Sequence, residues 1–333
     1  MKLIALSMTT GENVALLELA SDGELKKVHT MCAPTPMYAC NDGDILYLAL
    51  REPFGEAESG VVAVRCEEGV PKELIGEPLP CYGRIACHIA CSPDRKYLYT
   101  ANYRSGSLSE YRLDAHGNIE GLNRVISFEK KDPEKIPHAH GIFFSADGET
   151  LCAPDLGNDC INLYKMTPDG VDLNPQIITF PEGSGPRHIT YTDDGYMAYL
   201  VCQNSSTVYA MDCENQWKIT ASASSEPPAN VRNQSSAIRL SPDGKWLYIS
   251  NRGANTISRF KVEGDSLVLC ENTPCGNNPR DFAISPDGKW LVLGNMDDNN
   301  LAVYAIDSAD GSLKLLAQYD FVAPVAVFFP KER

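Results

Sequence analysis

Short apolar segments separated by polar loops run the whole length of this chain, and within them the period is two. KYLYTA from Lys96 and KWLYIS from Lys245 alternate their larger side chains between two faces, the mark of a strand in a sheet. Helical periodicity is missing throughout, which excludes a doubly wound α/β arrangement and predicts an all-β fold.

One pattern recurs along the strands. A small or polar residue precedes Pro-Asp-Gly-Lys or a relative, followed by an alternating run that ends near Asn. The clearest copies are SPDRKYLYTAN from Ser92, SPDGKWLYISN from Ser241 and SPDGKWLVLGN from Ser285. Weaker copies are CNDGDILYLAL from Cys40, SADGETLCAPD from Ser145 and TDDGYMAYLVC from Thr192. The turn aspartates Asp42, Asp94, Asp147, Asp194, Asp243 and Asp287 are spaced by 52, 53, 47, 49 and 44 residues. Pro presets φ and Gly tolerates positive φ, so each copy reads as a tight turn between strands. An apolar strand precedes each turn, and a third strand such as NTISRFKV and a more variable fourth segment follow. Four short antiparallel strands at this spacing make one blade of a β-propeller.

Six copies are complete, and the ends hold the parts of a seventh. PVAVFFP (324–330) resembles a first strand, while KLIALS and NVALLEL resemble a second and a third. The expectation is a single domain over 1–333, a seven-bladed β-propeller closed by pairing the C-terminal strand with the N-terminal strands. An open six-bladed form is the alternative, and it would leave an unpaired edge.

The net charge of −15, from 44 acidic and 29 basic residues, argues against nucleic acid and membrane surfaces as partners. No apolar run approaches the length of a membrane span, and the N-terminus reads as a strand rather than a signal peptide. The 12 cysteines include no CxxC pair and sit mostly in apolar runs (Cys87, Cys91, Cys152, Cys202), so reduced core thiols in a cytoplasmic protein are expected. Clustered metal ligands are missing, and neither metal nor cofactor is expected.

Blade topology then directs attention to one mouth of the channel, shared by the starts of first strands and the second-to-third loops. PHAHG (137–141), GPRH (185–188) and NPRD (278–281) begin first strands. Counting back five from the residue before each turn dipeptide places His140, Arg187 and Arg280 at equivalent positions. Strand alternation points His138 the same way as His140. The second-to-third loops add Asn102, Tyr103, Asp155, Gln203, Asn251 and Arg252, and His188 follows Arg187. Three Arg and two His at one opening of an acidic protein predict a small anionic ligand. The competing reading is that they pair with neighbouring aspartates, as Arg280 with Asp281, and tie blades together. Trp246, Trp290, Tyr97 and Tyr99 are expected to pack between blades, with Trp217 either core or loop.

PHAH, GPRHITY, SPDGKWLYISNRGANTI and NPRDFAISPDGKWLVLGN resemble the lactonase propeller family, which includes propeller-type 6-phosphogluconolactonases and fungal carboxymuconate cyclases. The resemblance implies a site using His138 or His140, Arg187 and Arg252. Two departures stand out: Cys202-Gln203 replaces the family's Asn-Glu after the fourth repeat's second strand, and Asn295-Met296 replaces its Asn-Gln after the sixth. The activity implied is hydrolysis of 6-phosphogluconolactone to 6-phosphogluconate, in carbohydrate metabolism and the pentose phosphate pathway, by a monomer or weak homodimer. His140 or His138 would be the general base. Arg252 or Arg187 would stabilise the oxyanion, an effect of roughly 3–4 kcal/mol per good donor. Arg280, with His188, Asn251, Asn102, Tyr103 and Asp155, would bind substrate, and Gln203 would orient water or substrate without taking a proton. A carboxylated muconolactone as substrate and a non-catalytic ligand- or protein-binding propeller are the alternatives.

Overall fold

The repeated turn is built by a hydroxyl and a carboxylate two residues apart. The side chain of Ser92 donates to Asp94 at 2.7 Å, Ser145 to Asp147 at 2.6 Å, Thr192 to Asp194 at 2.5 Å, Ser241 to Asp243 at 2.6 Å and Ser285 to Asp287 at 2.6 Å. The same hydroxyl accepts the backbone N–H five residues on, at Tyr97, Thr150, Met197, Trp246 and Trp290. Each turn thus holds its two strands in register before any packing is considered. The serine and threonine hydrogen bonds, helped by backbone N–H groups, hold Asp147 and Asp194 below the usual carboxylate range.

The computed structural model describes residues 1–130, 132–225, 232–264 and 266–330. Apart from a single 3-10 turn at Tyr103–Ser105, the regular elements among them are strands, gathered into seven sheets. Blades one to six follow the six turn aspartates in order. The seventh sheet joins the two ends of the chain: Pro324–Phe328 pairs antiparallel with Lys2–Ser7, with Ile4 opposite Phe328 and Leu6 opposite Ala326. The fold is therefore an all-β, seven-bladed propeller, closed as the terminal segments predict.

Contacts divide the chain into two compact units. One comprises Met1–Ser7, Leu17–Lys27 and Arg187–Phe329, which carries blades four to six; the other comprises Met8–Leu16 and Val28–Pro186, which carries blades one to three. Within each unit, large side chains fill the space between neighbouring blades. Tyr97 and Tyr99 of blade two cluster with Ile142, Leu151 and Tyr164 of blade three. Trp246 and Tyr248 of blade five cluster with Phe282, Leu291 and Tyr304 of blade six. Trp217 is buried edge-on to Tyr191, with ring centres 6.1 Å apart, so it belongs to the core. All twelve cysteines are free thiols, and burial pushes Cys66 and Cys81 up to about 11 and Cys91 and Cys275 up to about 12.

Blade three departs from the repeat. Its first strand shrinks to Phe143–Phe144, and PHAHG touches its neighbour through one isolated bridge, Ala139 to Asp155. Pro137 has no N–H to give to a ladder, and Gly141 adds no side chain to pack on one. Its fourth strand, Gln176–Thr179, is also short.

Candidate functional site

The His-Ala-His segment is held by its own backbone and by one aspartate. Asp155, fully buried, accepts the N–H of His138 at 2.8 Å and those of Gly157 and Asn158 at 3.1 Å, while the Asn158 amide donates to its other oxygen at 2.7 Å. Burial pushes the Asp155 carboxyl up, and these donors act against the rise. Its oxygens shape the loop on which the histidines sit. His140 adds a backbone bond to the Pro154 carbonyl at 3.0 Å.

Both imidazoles meet the same ring. His138 stacks on Tyr103 with centres 4.5 Å apart and planes 9° apart, and His140 meets Tyr103 edge-on at 5.4 Å. The Nδ1 of His138 lies 3.0 Å from the Tyr103 carbonyl oxygen. A carbonyl only accepts, so Nδ1 carries the proton, and in the neutral ring the lone pair resides on Nε2. His138 is half-buried, whereas His140 is 7% exposed. With PHAHG outside a regular strand, the two histidines differ in exposure, although alternation predicts that they share a face.

In the other unit, the inner strands of blades four to seven are laced together. Arg187, in Pro186–Tyr191, donates from Nη1 to the Ser236 carbonyl of blade five at 2.6 Å and lies 3.2 Å from Nδ1 of His188. The Ser236 hydroxyl donates to the Arg280 carbonyl of blade six at 2.6 Å. Asp281, beside it, accepts from Arg239 of blade five at 2.9 Å and from the Val327 N–H of the closing strand at 3.2 Å. Burial raises the Asp281 carboxyl, and Arg239, the Val327 N–H and Arg187 oppose that rise. The carboxylate partner of the expected Arg280–Asp281 pair is thus taken up by Arg239. Arg187 and His188 are 3% and 2% exposed, so this lacing is internal.

Arg252 takes a different position. It is partly exposed, and its Nη2 donates to Oε1 of Gln203 at 2.8 Å, linking the second-to-third loops of blades four and five. It also lines a cleft of about 640 Å³ with Arg232, Gln234, Asn278, Asp297 and Asp298. The far wall is stiffened by amides: Asn277 donates to Asp298 through its backbone and side chain, both at 2.7 Å, and Asn278 donates to Asp297 at 3.0 Å. The Asn277 bonds hold the Asp298 carboxyl below the usual range.

Two predicted contacts turn out to be interior. Asn102 and Asn251 are fully buried, where their amides donate to Ser109 at 2.8 Å and Ser258 at 2.7 Å across their blades. Asn295 does the same with Asn300 at 2.8 Å. The Asn that closes the repeat therefore fastens the second strand to the third. The cleft residues Arg232, Asn277, Asp297 and Asp298 escaped the sequence reading. Their one signal was position, since they enter or leave the same strands as the motifs.

A family described as lactonase, seven-bladed β-propeller, matches residues 3–329. The chain belongs to that family. An uncharacterized protein of Staphylococcus aureus is 31% identical over 257 residues, 74% of each chain. Among solved structures, the periplasmic gluconolactonase of Pseudomonas aeruginosa is similar to this lactonase-family chain with a TM-score of 0.90 and 26% identity over 98% of both chains. A candidate 6-phosphogluconolactonase of Bacteroides fragilis gives a TM-score of 0.89 and 26% identity over 98% of this chain and 96% of that one.

Proposed function

We propose that this lactonase-family protein hydrolyses a phosphorylated sugar lactone, opening 6-phosphogluconolactone to 6-phosphogluconate. The observation that carries the reading is Arg252, held by a neutral amide at 2.8 Å on the wall of a cleft of about 640 Å³ that it shares with Arg232. Two guanidinium groups on one wall suit a phosphate, and a volume of this size suits a single sugar.

The reaction adds water to the lactone carbonyl, breaks the ring C–O bond and leaves an acid and a hydroxyl. In its own unit His138 has the geometry to accept a proton from water, because the Tyr103 carbonyl holds its proton on Nδ1 and leaves the lone pair on Nε2. The group that takes the proton from water returns it, as the conjugate acid, to the departing ring oxygen. Arg187 and Asp281 serve the scaffold in this reading, since their polar atoms lace inner strands together. A cytoplasmic setting, in which twelve thiols stay reduced, is part of the same proposal.

The test is hydrolysis of freshly generated 6-phosphogluconolactone, corrected for spontaneous opening, by wild type, Arg252→Ala and His138→Ala. Loss of a general base is expected to lower kcat by about 10²- to 10⁴-fold while product affinity persists. Arg252→Ala is expected to raise KM for the phosphorylated lactone more than for gluconolactone. Wild-type rates at background would overturn the assignment.

A further inference from the structure

Blade six gives the Arg252 cleft a wall whose two loops are clamped together. The Met296 N–H donates to the Asn278 carbonyl at 3.0 Å. A Cβ at Gly276 would lie 2.6 Å from both Asn295 and Asp298, so the close approach requires glycine. From blade five, Asn255 donates through Nδ2 to Asn277 at 2.8 Å and accepts the Asn278 N–H at 3.2 Å.

Within that clamp the two aspartates are used differently. Both oxygens of Asp298 are taken by Asn277, Oδ2 by its backbone N–H and Oδ1 by its side-chain amide, each at 2.7 Å. Asp297 accepts from the Asn278 amide through Oδ1 at 3.0 Å, and its Oδ2 has no partner among the described residues. Asp297 is exposed and lines the cleft. Because Asn278 directs its Nδ2 to that bond, its own Oδ1 is left as a second acceptor. The cleft is therefore polarised: blade five supplies the donors, Arg252 and Arg232, and blade six supplies acceptors with capacity to spare. Among the described residues its lining holds no aliphatic or aromatic side chain, so an apolar ligand would find nothing to cover.

We propose that Asp297 is a specificity-determining residue, accepting a hydrogen bond from a hydroxyl of the ligand's polyol chain, with Asn278 as a second acceptor. The inference rests on the reading of Arg252 as the anion site and supplies what that reading leaves open, the recognition of the uncharged end. A carboxylate accepts strongly from hydroxyls and repels a phosphate, which sets the ligand's direction between the two blades. A phosphorylated polyol is held at both ends, and an alkyl phosphate at one.

Calorimetry with sorbitol 6-phosphate and with hexyl phosphate separates the two ends, since the ligands share the phosphate and differ in hydroxyls. Wild type is expected to prefer sorbitol 6-phosphate by about fivefold or more, the worth of one good hydrogen bond. In Asp297→Ala the preference is expected to vanish, while hexyl phosphate binds as well or more tightly because a negative charge has gone. Asp297→Asn, which can keep the bond from Asn278, controls for loop shape and is expected to lose part of the preference. A preference that survives in Asp297→Ala would overturn the proposal. So would an equal fall for both ligands, the mark of a residue that only shapes the loop, or equal binding of both by wild type. No binding of either ligand by wild type would sink the Arg252 reading and this one together. A hydroxyl preference that depends on Asp297, without lactone hydrolysis, would sink the lactonase reading alone.

Discussion

Replacing Gln203 by Glu keeps the shape of the Arg252 contact and changes its charge. The amide oxygen already accepts from Nη2 at 2.8 Å, so a carboxylate oxygen takes the same place. An anion bound on the far side of the guanidinium then lies roughly 6–7 Å from the new charge. At an effective dielectric of about 25–50 for a half-exposed site, the repulsion is about 1–2 kcal/mol. That corresponds to a loss of roughly 5- to 30-fold in affinity for a phosphate-bearing ligand. Calorimetry with 6-phosphogluconate and with inorganic phosphate, at low and high salt, measures it directly. The variant is expected to weaken both ligands, with the difference shrinking at high salt, while KM for neutral gluconolactone changes little. Unchanged or tighter phosphate binding in a variant that melts like wild type would refute the placement of the anion at Arg252. A gain of hydrolysis on gluconolactone is compatible with this outcome, since a carboxylate there can also accept a proton.

Asp281→Asn removes the buried carboxylate that faces Arg239 at 2.9 Å and is expected to cost about 3–5 kcal/mol, with the melting temperature falling by roughly 4–7 °C. A shift below about 2 °C would show that the lacing of inner strands contributes little. The turn aspartates give the pH dependence its sign. Asp147 and Asp194 have lowered pKa values in the fold, so the stability they add is complete above the unfolded value of 3.8 and disappears as pH falls through the folded one. Asp281 acts oppositely, because its raised folded value makes ionisation unfavourable as pH climbs past 3.8. Melting curves from pH 2.5 to 5 are expected to show the fall, and Asp147→Ala to flatten it; parallel curves for variant and wild type would contradict the assignment.

The blades were legible in the sequence because their turns are made locally. A hydroxyl, a carboxylate and a Gly within a few residues dictate the turn whatever packs around it, and the ends read as strands for the same reason. The site was legible only where a residue's role follows from its place in the repeat. Arg252 was singled out that way, and it lines the cleft of about 640 Å³. Asn102 and Asn251 were misplaced because an Asn at a strand end is equally suited to solvent and to the serine across the blade, and only packing decides. PHAHG was read as a strand from its position, although Pro137 and Gly141 weaken that reading. Asp297, Asp298 and Arg232 sit in aperiodic loops, where neither period nor turn chemistry marks them.

The pairing of Ile4 with Phe328 has a consequence during synthesis. Lys2–Ser7 belongs to a sheet whose inner member, Pro324–Phe328, is made after the six blades between them. At about 5–20 residues per second, Lys2–Ser7 waits roughly 15 s to a minute for its partner. Through that interval an apolar edge, LIAL, stays open to any passing strand, including one from a neighbouring nascent chain. Messages truncated upstream of Pro324 would release chains that carry this edge permanently, whatever the state of their remaining blades.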